Sequence, residues 1–131
     1  MINQFSLTHR ICAFTKAYIE CALWSTNTVT GRSFEEDFGP EDIAPETLEQ
    51  ITTDCKRFQE ENATDISAGP YDPDYLVWER AGHDFWLTRN GHGAGFWDGD
   101  WPEEIGERLT EASKAYGEVD LYVGDDGMIY S

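Results

Sequence analysis

Residues 83–101, HDFWLTRNGHGAGFWDGDW, are the stretch on which the predicted fold depends. They hold two of the three histidines in the chain and three of its five tryptophans. Histidines beside aspartates suggest an active site, whereas aromatic residues around glycines indicate a β-hairpin that supplies side chains to the core. The hairpin accounts for the phenylalanines, tryptophans and glycines, because aromatic cross-strand pairs stabilise a sheet. We therefore predict a structural hairpin here.

Two registers fit this hairpin. A Gly91-His92 turn places Trp86 opposite Trp97, and a glycine in the first turn position suits a type II′ turn. An Asn90-Gly91 turn of type I′ shifts the pairing, so that different aromatic residues meet. The sequence supports both turns, and the register stays open.

The rest of the chain has three amphipathic segments and one further hairpin pattern. Apolar residues recur at helical spacing, which predicts helices at about 8–24, 45–61 and 102–116. Residues 119–130, VDLYVGDDGMIY, predict a hairpin around an Asp-Gly turn, and residues 74–81 fit a helix or a strand. We expect one α+β domain of 131 residues, with about three helices packed on one face of a small antiparallel sheet built from two hairpins.

Charge is the strongest global signal in the composition. Twenty-six acidic residues stand against nine basic ones, which gives a net charge of −17. The acidic excess begins at Phe34, since the residues up to Ser33 carry three bases and one acid. Such a field repels nucleic acid and anionic membranes and attracts basic protein surfaces. We therefore expect no direct nucleic-acid or membrane partner. A basic protein partner and a merely solubilising surface are both consistent with the charge.

Cysteine usage and hydropathy indicate the cytoplasm. Cys12, Cys21 and Cys55 fall in apolar helical patterns, which is typical of buried free thiols in a reducing compartment. No apolar run approaches the ~18 residues that indicate a membrane span. The N-terminal residues also lack the order of basic and then apolar residues that marks a signal peptide.

The histidines define an enzymatic alternative. His83 and His92 are nine residues apart, which in an extended strand means a separation on the order of 25 Å or more. They would then be too far apart to share a metal. His83 would lie near Asp98 or Asp100 across the hairpin base, and such a pair could act as a general base. A small hydrolase or metal-assisted enzyme would require both histidines and these aspartates to converge in one cleft.

No cofactor or metal site is predicted. The chain has no P-loop, no dinucleotide-binding fingerprint and no Cys-x-x-Cys pair. The acidic runs EEDFGPED and WDGDWPEE could hold Mg²⁺ or Mn²⁺, but dense carboxylates more often form a solvated surface. Whether a divalent metal binds them is left open.

The third predicted helix carries a column of like charges. Glu103, Glu107 and Glu111 recur at four-residue spacing, so their side chains lie about 5–6 Å apart on one face and mildly destabilise the helix. A row of carboxylates at this spacing approximates a row of phosphates. Asp100 and Glu103 resemble a capping box at the start of the helix.

Three stretches are distributed over most of the chain, namely AYIECALW, AGHDFWLTRNGHGAGFWDGDW and IGERLTEASKAYGEVDLYVGDDGMIY. In these stretches the chain resembles a family of small acidic proteins encoded by bacteriophages. It implies a phage origin and no catalytic residue. Small acidic phage proteins without enzyme motifs often bind a host or defence protein, and nucleic-acid mimicry is one route by which they do so.

These observations predict a non-catalytic protein that binds, and modulates or inhibits, a host or defence protein in the host cytoplasm. Carboxylates of the second and third helices and of the loops would engage a basic surface, with aromatic anchors from residues 83–101. The predicted binding residues are Glu103, Glu107, Glu111, Asp98, Asp100 and His92. A further alternative is a structural or assembly protein that forms homo-oligomers through exposed tryptophans.

Overall fold

The computed structural model describes residues 12–28, 31–74, 76–92 and 94–131. Within them lie four helices, which are α1 (Ala13–Ser25), α2 (Pro45–Ser67), α3 (Val77–Arg89) and α4 (Glu103–Lys114). Two short 3₁₀ turns, Phe34–Glu36 and Pro40–Asp42, connect α1 to α2. The strands β1 (Tyr122–Val123) and β2 (Ile129–Tyr130) follow α4. The predicted combination of helices with a small antiparallel sheet is confirmed, but in these ranges there are four helices and one hairpin.

The predicted hairpin at residues 83–101 is wrong. Its first half is the helix α3, and its second half is a loop that leads into α4. The question of the hairpin register therefore disappears. Trp86, expected in a cross-strand pair, lies in the core and donates an indole hydrogen bond to the Ser25 hydroxyl over 2.7 Å. Trp97, its expected partner, is 54% exposed.

The other helices lie close to where the sequence predicts them. The predicted start of α1 at residue 8 lies outside the described residues. The helix α2 begins at Pro45 as expected but extends beyond residue 61 to Ser67. It is kinked at Asn62, whose side-chain amide donates to the Phe58 carbonyl over 2.9 Å in competition with the helix backbone. No helix in the described part of the chain is long and apolar enough to cross a membrane.

The C-terminal hairpin forms the small sheet. Tyr122 pairs with Tyr130 and Val123 with Ile129, in antiparallel register. Ile129 also bridges Ile43, and its carbonyl accepts a hydrogen bond from the Ala44 N–H over 2.9 Å. The hairpin is therefore fixed to the start of α2.

The core forms where α3 crosses α1 and α2. A Cβ atom at Gly82 of α3 would lie 2.0 Å from the Phe14 carbonyl oxygen of α1, so only glycine permits this close approach. Phe85, one turn further along α3, stacks on Phe58 of α2 with 4.1 Å between the ring centroids. Because nearly every residue of α3 from Ala81 to Arg89 is buried, α3 is the central helix of the fold.

Arg89 closes this core at the end of α3, with its side chain 3% exposed. Its guanidinium donates to the Asp54 carboxylate over 3.0 Å and to the Tyr18 hydroxyl over 3.2 Å. It also donates to the backbone carbonyls of Gly117 over 2.8 Å and Tyr116 over 3.1 Å. One buried cation thus connects α1, α2 and the segment that follows α4, and its hydrogen bonds compensate for the loss of water.

Candidate functional site

A surface groove lies between α4 and the loop before it. It has a volume of about 600 Å³. Its floor is made of buried residues, namely Phe96, Trp101, Gly106 and Thr110. The exposed residues at its margins are Trp97 and Gly99 from the loop, and Glu103, Glu107 and Glu111 from α4. The groove therefore combines an apolar floor, an acidic wall and one exposed aromatic ring.

Two polar residues of α3 hold the loop in place. The Asp84 carboxylate accepts a hydrogen bond from the Trp101 indole over 2.8 Å, and the Thr88 hydroxyl accepts one from the Phe96 N–H over 3.1 Å. Asp84 and Thr88 are four residues apart, so a helix presents both on one face. The helical form of α3 is thus what positions the loop, and both partners belong to the groove floor.

Gly106 brings α4 close to the loop. A Cβ atom at this position would lie 2.7 Å from the Phe96 carbonyl oxygen. A side chain here would push the loop and the helix apart, because that oxygen belongs to the backbone. The depth of the groove floor depends on this contact.

The three glutamates form an exposed column along α4. Glu103, Glu107 and Glu111 lie on the same helix face as Gly106 and Thr110, as four-residue spacing requires. Among the described residues, no basic side chain lies within 4.0 Å of any of the three. The arginines of the described ranges pair with other carboxylates, and these pairs are Arg32–Asp37, Arg57–Glu61, Arg80–Asp100, Arg89–Asp54 and Arg108–Asp65.

Thr110 contributes an unpartnered polar group to the floor. It is 9% exposed, and its buried hydroxyl oxygen has no hydrogen-bond partner within the described part of the protein. Ser113, one turn further along α4, differs because its hydroxyl donates to the Leu109 carbonyl over 2.7 Å. A buried hydroxyl without a partner costs roughly 1–3 kcal/mol, so Thr110 destabilises the fold locally.

The predicted binding residues occupy three different places. Glu103, Glu107 and Glu111 line the groove together. Asp98 and Asp100 lie in the adjoining loop, where Asp98 accepts a hydrogen bond from the Gly95 N–H over 3.3 Å. Asp100 pairs with Arg80 over 3.4 Å and does not cap α4, which begins after Pro102 without a side-chain cap.

His92 lies in a second, smaller groove of about 310 Å³. Its neighbours in that groove include Glu118 and Asp120, from the segment between α4 and β1. His92 is therefore not part of the acidic column, and the six predicted residues do not form one site.

The histidines do not assemble an enzymatic cleft with the aspartates named for it. The predicted separation of His83 and His92 assumed an extended strand. In the structure the chain from His83 to Arg89 is helical, and these residues advance only about 9 Å along the helix axis. His83 still does not line the groove that holds His92. Its Nδ1 lies 3.8 Å from Asp84, whose carboxylate also binds Trp101. In the described ranges no group of three or more histidine, cysteine, aspartate or glutamate residues could hold a metal ion.

Trp97 and Thr110 are among the groove residues that the sequence-based list of binding residues omits. Trp97 was assigned to a core pair, although its flanking Asp98 and Gly99 are typical of an exposed loop. Thr110 gave no signal, because an unpartnered hydroxyl is defined only by its three-dimensional surroundings.

Comparison with known proteins adds no relative. No protein-family model matches the chain, and neither a curated protein nor a solved structure is similar to it.

Proposed function

We propose that this chain is a non-catalytic binding protein whose acidic groove engages a basic surface on a partner protein. The observation that carries the proposal is the column of Glu103, Glu107 and Glu111 beside the exposed Trp97, with no cation of the described residues paired to it. Like charges on one helix face oppose folding, so their presence at a groove is explained by a partner that neutralises them.

The partner we infer is a host or defence protein of a bacterium, met in the host cytoplasm. The resemblance to acidic phage-encoded proteins supports this inference, and the net charge of −17 favours a basic partner. Inhibition follows if the basic surface that is covered normally binds nucleic acid. The glutamate column would then take the place of a row of phosphates.

An assembly role is the weaker candidate. Trp24 and Trp97 are 57% and 54% exposed, and exposed tryptophans can support association. Two copies of so acidic a chain repel each other, however, and each would present the same carboxylates at the groove. A basic partner removes this repulsion, whereas a second copy adds to it.

The test compares two variants with the same change in charge. The groove variant Glu103→Gln/Glu107→Gln/Glu111→Gln and the control Glu46→Gln/Glu49→Gln/Glu60→Gln each remove three exposed carboxylates. Protein captured from bacterial lysate by the wild type is identified, purified and titrated against all three forms. We expect the groove variant to lose roughly tenfold or more in affinity and the control to lose less.

Salt dependence provides the second readout. Affinity of the wild type should fall steeply between about 50 and about 500 mM salt, since exposed charges are screened over this range. The proposal fails if affinity is insensitive to salt, or if the groove variant binds the partner as tightly as the wild type does.

A further inference from the structure

Three asparagine or aspartate residues of this chain are each followed directly by glycine. The pairs are Asn90-Gly91, Asp98-Gly99 and Asp126-Gly127. Such a pair can modify its own backbone, because glycine has no side chain to keep its nitrogen away from the carbonyl carbon of the preceding side chain. The nitrogen attacks that carbon and closes a five-membered succinimide ring. In a folded protein, hydrogen bonds on the reacting groups decide whether they can meet.

The Asn90-Gly91 pair is held by hydrogen bonds at every group that would react. The Asn90 side chain donates to the Trp86 carbonyl over 3.0 Å and accepts from the Val119 N–H over 2.8 Å. The Gly91 N–H, whose nitrogen would have to attack, donates to the Thr88 carbonyl over 3.2 Å. These bonds oppose ring closure, because they must break before the side chain and the nitrogen can approach each other.

The Asp126-Gly127 pair, between β1 and β2, is held in the same way. Both carboxylate oxygens of Asp126 accept hydrogen bonds, from the Tyr130 hydroxyl over 2.6 Å and from the Met128 N–H over 3.0 Å. The Gly127 N–H donates to the Gly124 carbonyl over 3.0 Å. The attacking nitrogen and the carboxylate are therefore both engaged elsewhere.

The Asp98-Gly99 pair differs at both reacting groups. The Gly99 N–H has no hydrogen-bond partner in the part of the chain that the structure describes. The Asp98 carboxylate accepts from the Gly95 N–H over 3.3 Å, which is longer than the usual bond. Both residues of the pair are exposed, and a Cβ atom at Gly99 would meet nothing within 4 Å beyond its chain neighbours. Little in the fold therefore keeps the two groups apart.

We propose that Asp98 is a site of spontaneous isomerisation to isoaspartate. The Gly99 nitrogen attacks the carboxyl carbon of Asp98, so that a C–N bond forms and the C–OH bond breaks. The amide proton and the hydroxyl group leave together as water. Water then opens the succinimide at either of its two carbonyls, which gives aspartate or isoaspartate. The reaction needs no other reagent, because the water released in the first step balances the water consumed in the second.

The product changes the margin of the groove on α4. In isoaspartate the main chain runs through the former side-chain carbon, so the backbone between Trp97 and Gly99 becomes one carbon longer. Trp97 and Gly99 both line the groove. The modification therefore alters the loop side of the groove while the number of carboxylates stays the same. This inference does not depend on the proposed function, because it needs only the chain and water.

The experiment measures isoaspartate at each pair in the full-length protein, incubated at neutral pH both folded and in guanidinium chloride. Peptide mapping by mass spectrometry with electron-based fragmentation distinguishes isoaspartate from aspartate and assigns it to a pair. In the folded protein we expect Asp98 to react roughly tenfold or more faster than Asn90 and Asp126, because several hydrogen bonds must first break there. In the unfolded chain Asn90 should react fastest, because an unconstrained asparagine closes the ring more readily than aspartate does.

Two variants test the cause of the difference. Tyr130→Phe removes the hydroxyl that donates to Asp126, so isomerisation at Asp126 should rise by about two- to tenfold while that at Asp98 stays the same. Asp98→Glu is the control at the reactive pair, because glutamate keeps the charge but would have to close a less favourable six-membered ring. This variant should lose the isomerised product at position 98.

The order of the rates decides the outcome. A folded protein in which Asp98 reacts fastest, and an unfolded chain in which Asn90 does, support the proposal. The proposal is overturned if Asp98 reacts no faster than Asp126 in the folded protein. It is also overturned if unfolding leaves the order of the three pairs unchanged, because the fold would then have no part in the selection.

Discussion

The molecule contains two charged sites with opposite surroundings. At the end of α3, the buried Arg89 donates to Asp54, to Tyr18 and to two backbone carbonyls. At the groove on α4, three carboxylates and the Thr110 hydroxyl have no partner among the described residues. The first site stabilises the fold with groups that the chain itself supplies. The second lacks such groups, and this difference is why we propose it as the surface for a partner.

The largest effect is expected at Arg89. Arg89→Met should destabilise the protein by about 3–5 kcal/mol, because it leaves the Asp54 carboxylate and two backbone carbonyls without their donor. Arg108→Met removes an exposed arginine from its pair with Asp65 and should cost much less, because solvent screens an exposed ion pair. Urea unfolding of both variants measures the difference. Similar costs for the two would refute the structural role assigned to Arg89.

Substitutions at the two helical glycines, Gly82 and Gly106, distinguish an effect on stability from an effect on binding at the groove. Gly106→Ala forces α4 away from the Phe96 carbonyl and should destabilise the protein by roughly 1–3 kcal/mol, with loss of affinity for hexa-arginine, a basic probe peptide. Gly82→Ala places a Cβ even closer to a backbone oxygen, at 2.0 Å from Phe14, and should destabilise at least as much. Because Gly82 does not line the groove, the folded fraction of that variant should keep its affinity. Peptide titration at a temperature where both variants are folded measures whether each keeps its affinity.

Alkaline pH tests two groups that the fold keeps protonated, Tyr116 and Cys21. Burial raises the pKa of Tyr116 to about 12 from its ordinary value of 10.0, and the hydrogen bond from its hydroxyl to Glu61 adds to the shift. Burial also raises the pKa of Cys21 to about 12 from 9.0. The folded state keeps these protons longer than the unfolded state does. The stability that these two groups contribute is therefore fully present below pH 9 and is lost as the pH rises toward 12.

Tyr116→Phe isolates one part of this dependence. The variant should still lose stability from about pH 9, because burial raises the pKa of both Cys21 and Cys55, but less steeply above about pH 10. Urea unfolding of the wild type and the variant at successive pH values measures the slopes. A wild-type stability that is constant or rises over this range would contradict the assignment.

The smallest effect is expected in self-association. The net charge should keep the chain monomeric despite its exposed tryptophans. Sedimentation velocity over a range of protein concentrations should give a constant mass. A mass that rises with concentration, and returns to that of the monomer in Trp97→Leu, would instead favour the assembly role.

How far the sequence predicts this molecule depends on how each helix is exposed. The helices α2 and α4 have a polar and an apolar face, so their spacing is visible in the sequence. The helix α3 is buried on nearly all sides from Ala81 to Arg89, and it therefore has no polar face to reveal a period of 3.6 residues. Its β-prone Phe85 and Trp86 then favoured a strand, and tertiary packing outweighed that preference.

The candidate site, like the fold, was predictable only where helical spacing determines it. The glutamate column follows from helical spacing alone, and the structure places its three members in one groove. Trp97, Thr110 and the anchors Asp84 and Thr88 depend on contacts between distant elements, which spacing does not encode. Asp100 was expected at the helix cap but pairs with Arg80 of α3, for the same reason.

The central claim is that the carboxylates on α4 oppose folding and serve binding, and Glu107→Gln/Glu111→Gln tests it most directly. Neither residue benefits from the helix N-terminus, and Glu111 lies in the last turn, where negative charge is unfavourable. We predict a variant that is more stable than the wild type by about 0.3–1 kcal/mol and binds hexa-arginine more weakly, while Glu49→Gln/Glu60→Gln keeps its affinity. A groove variant that is less stable than the wild type, or that binds the peptide equally well, would contradict the claim.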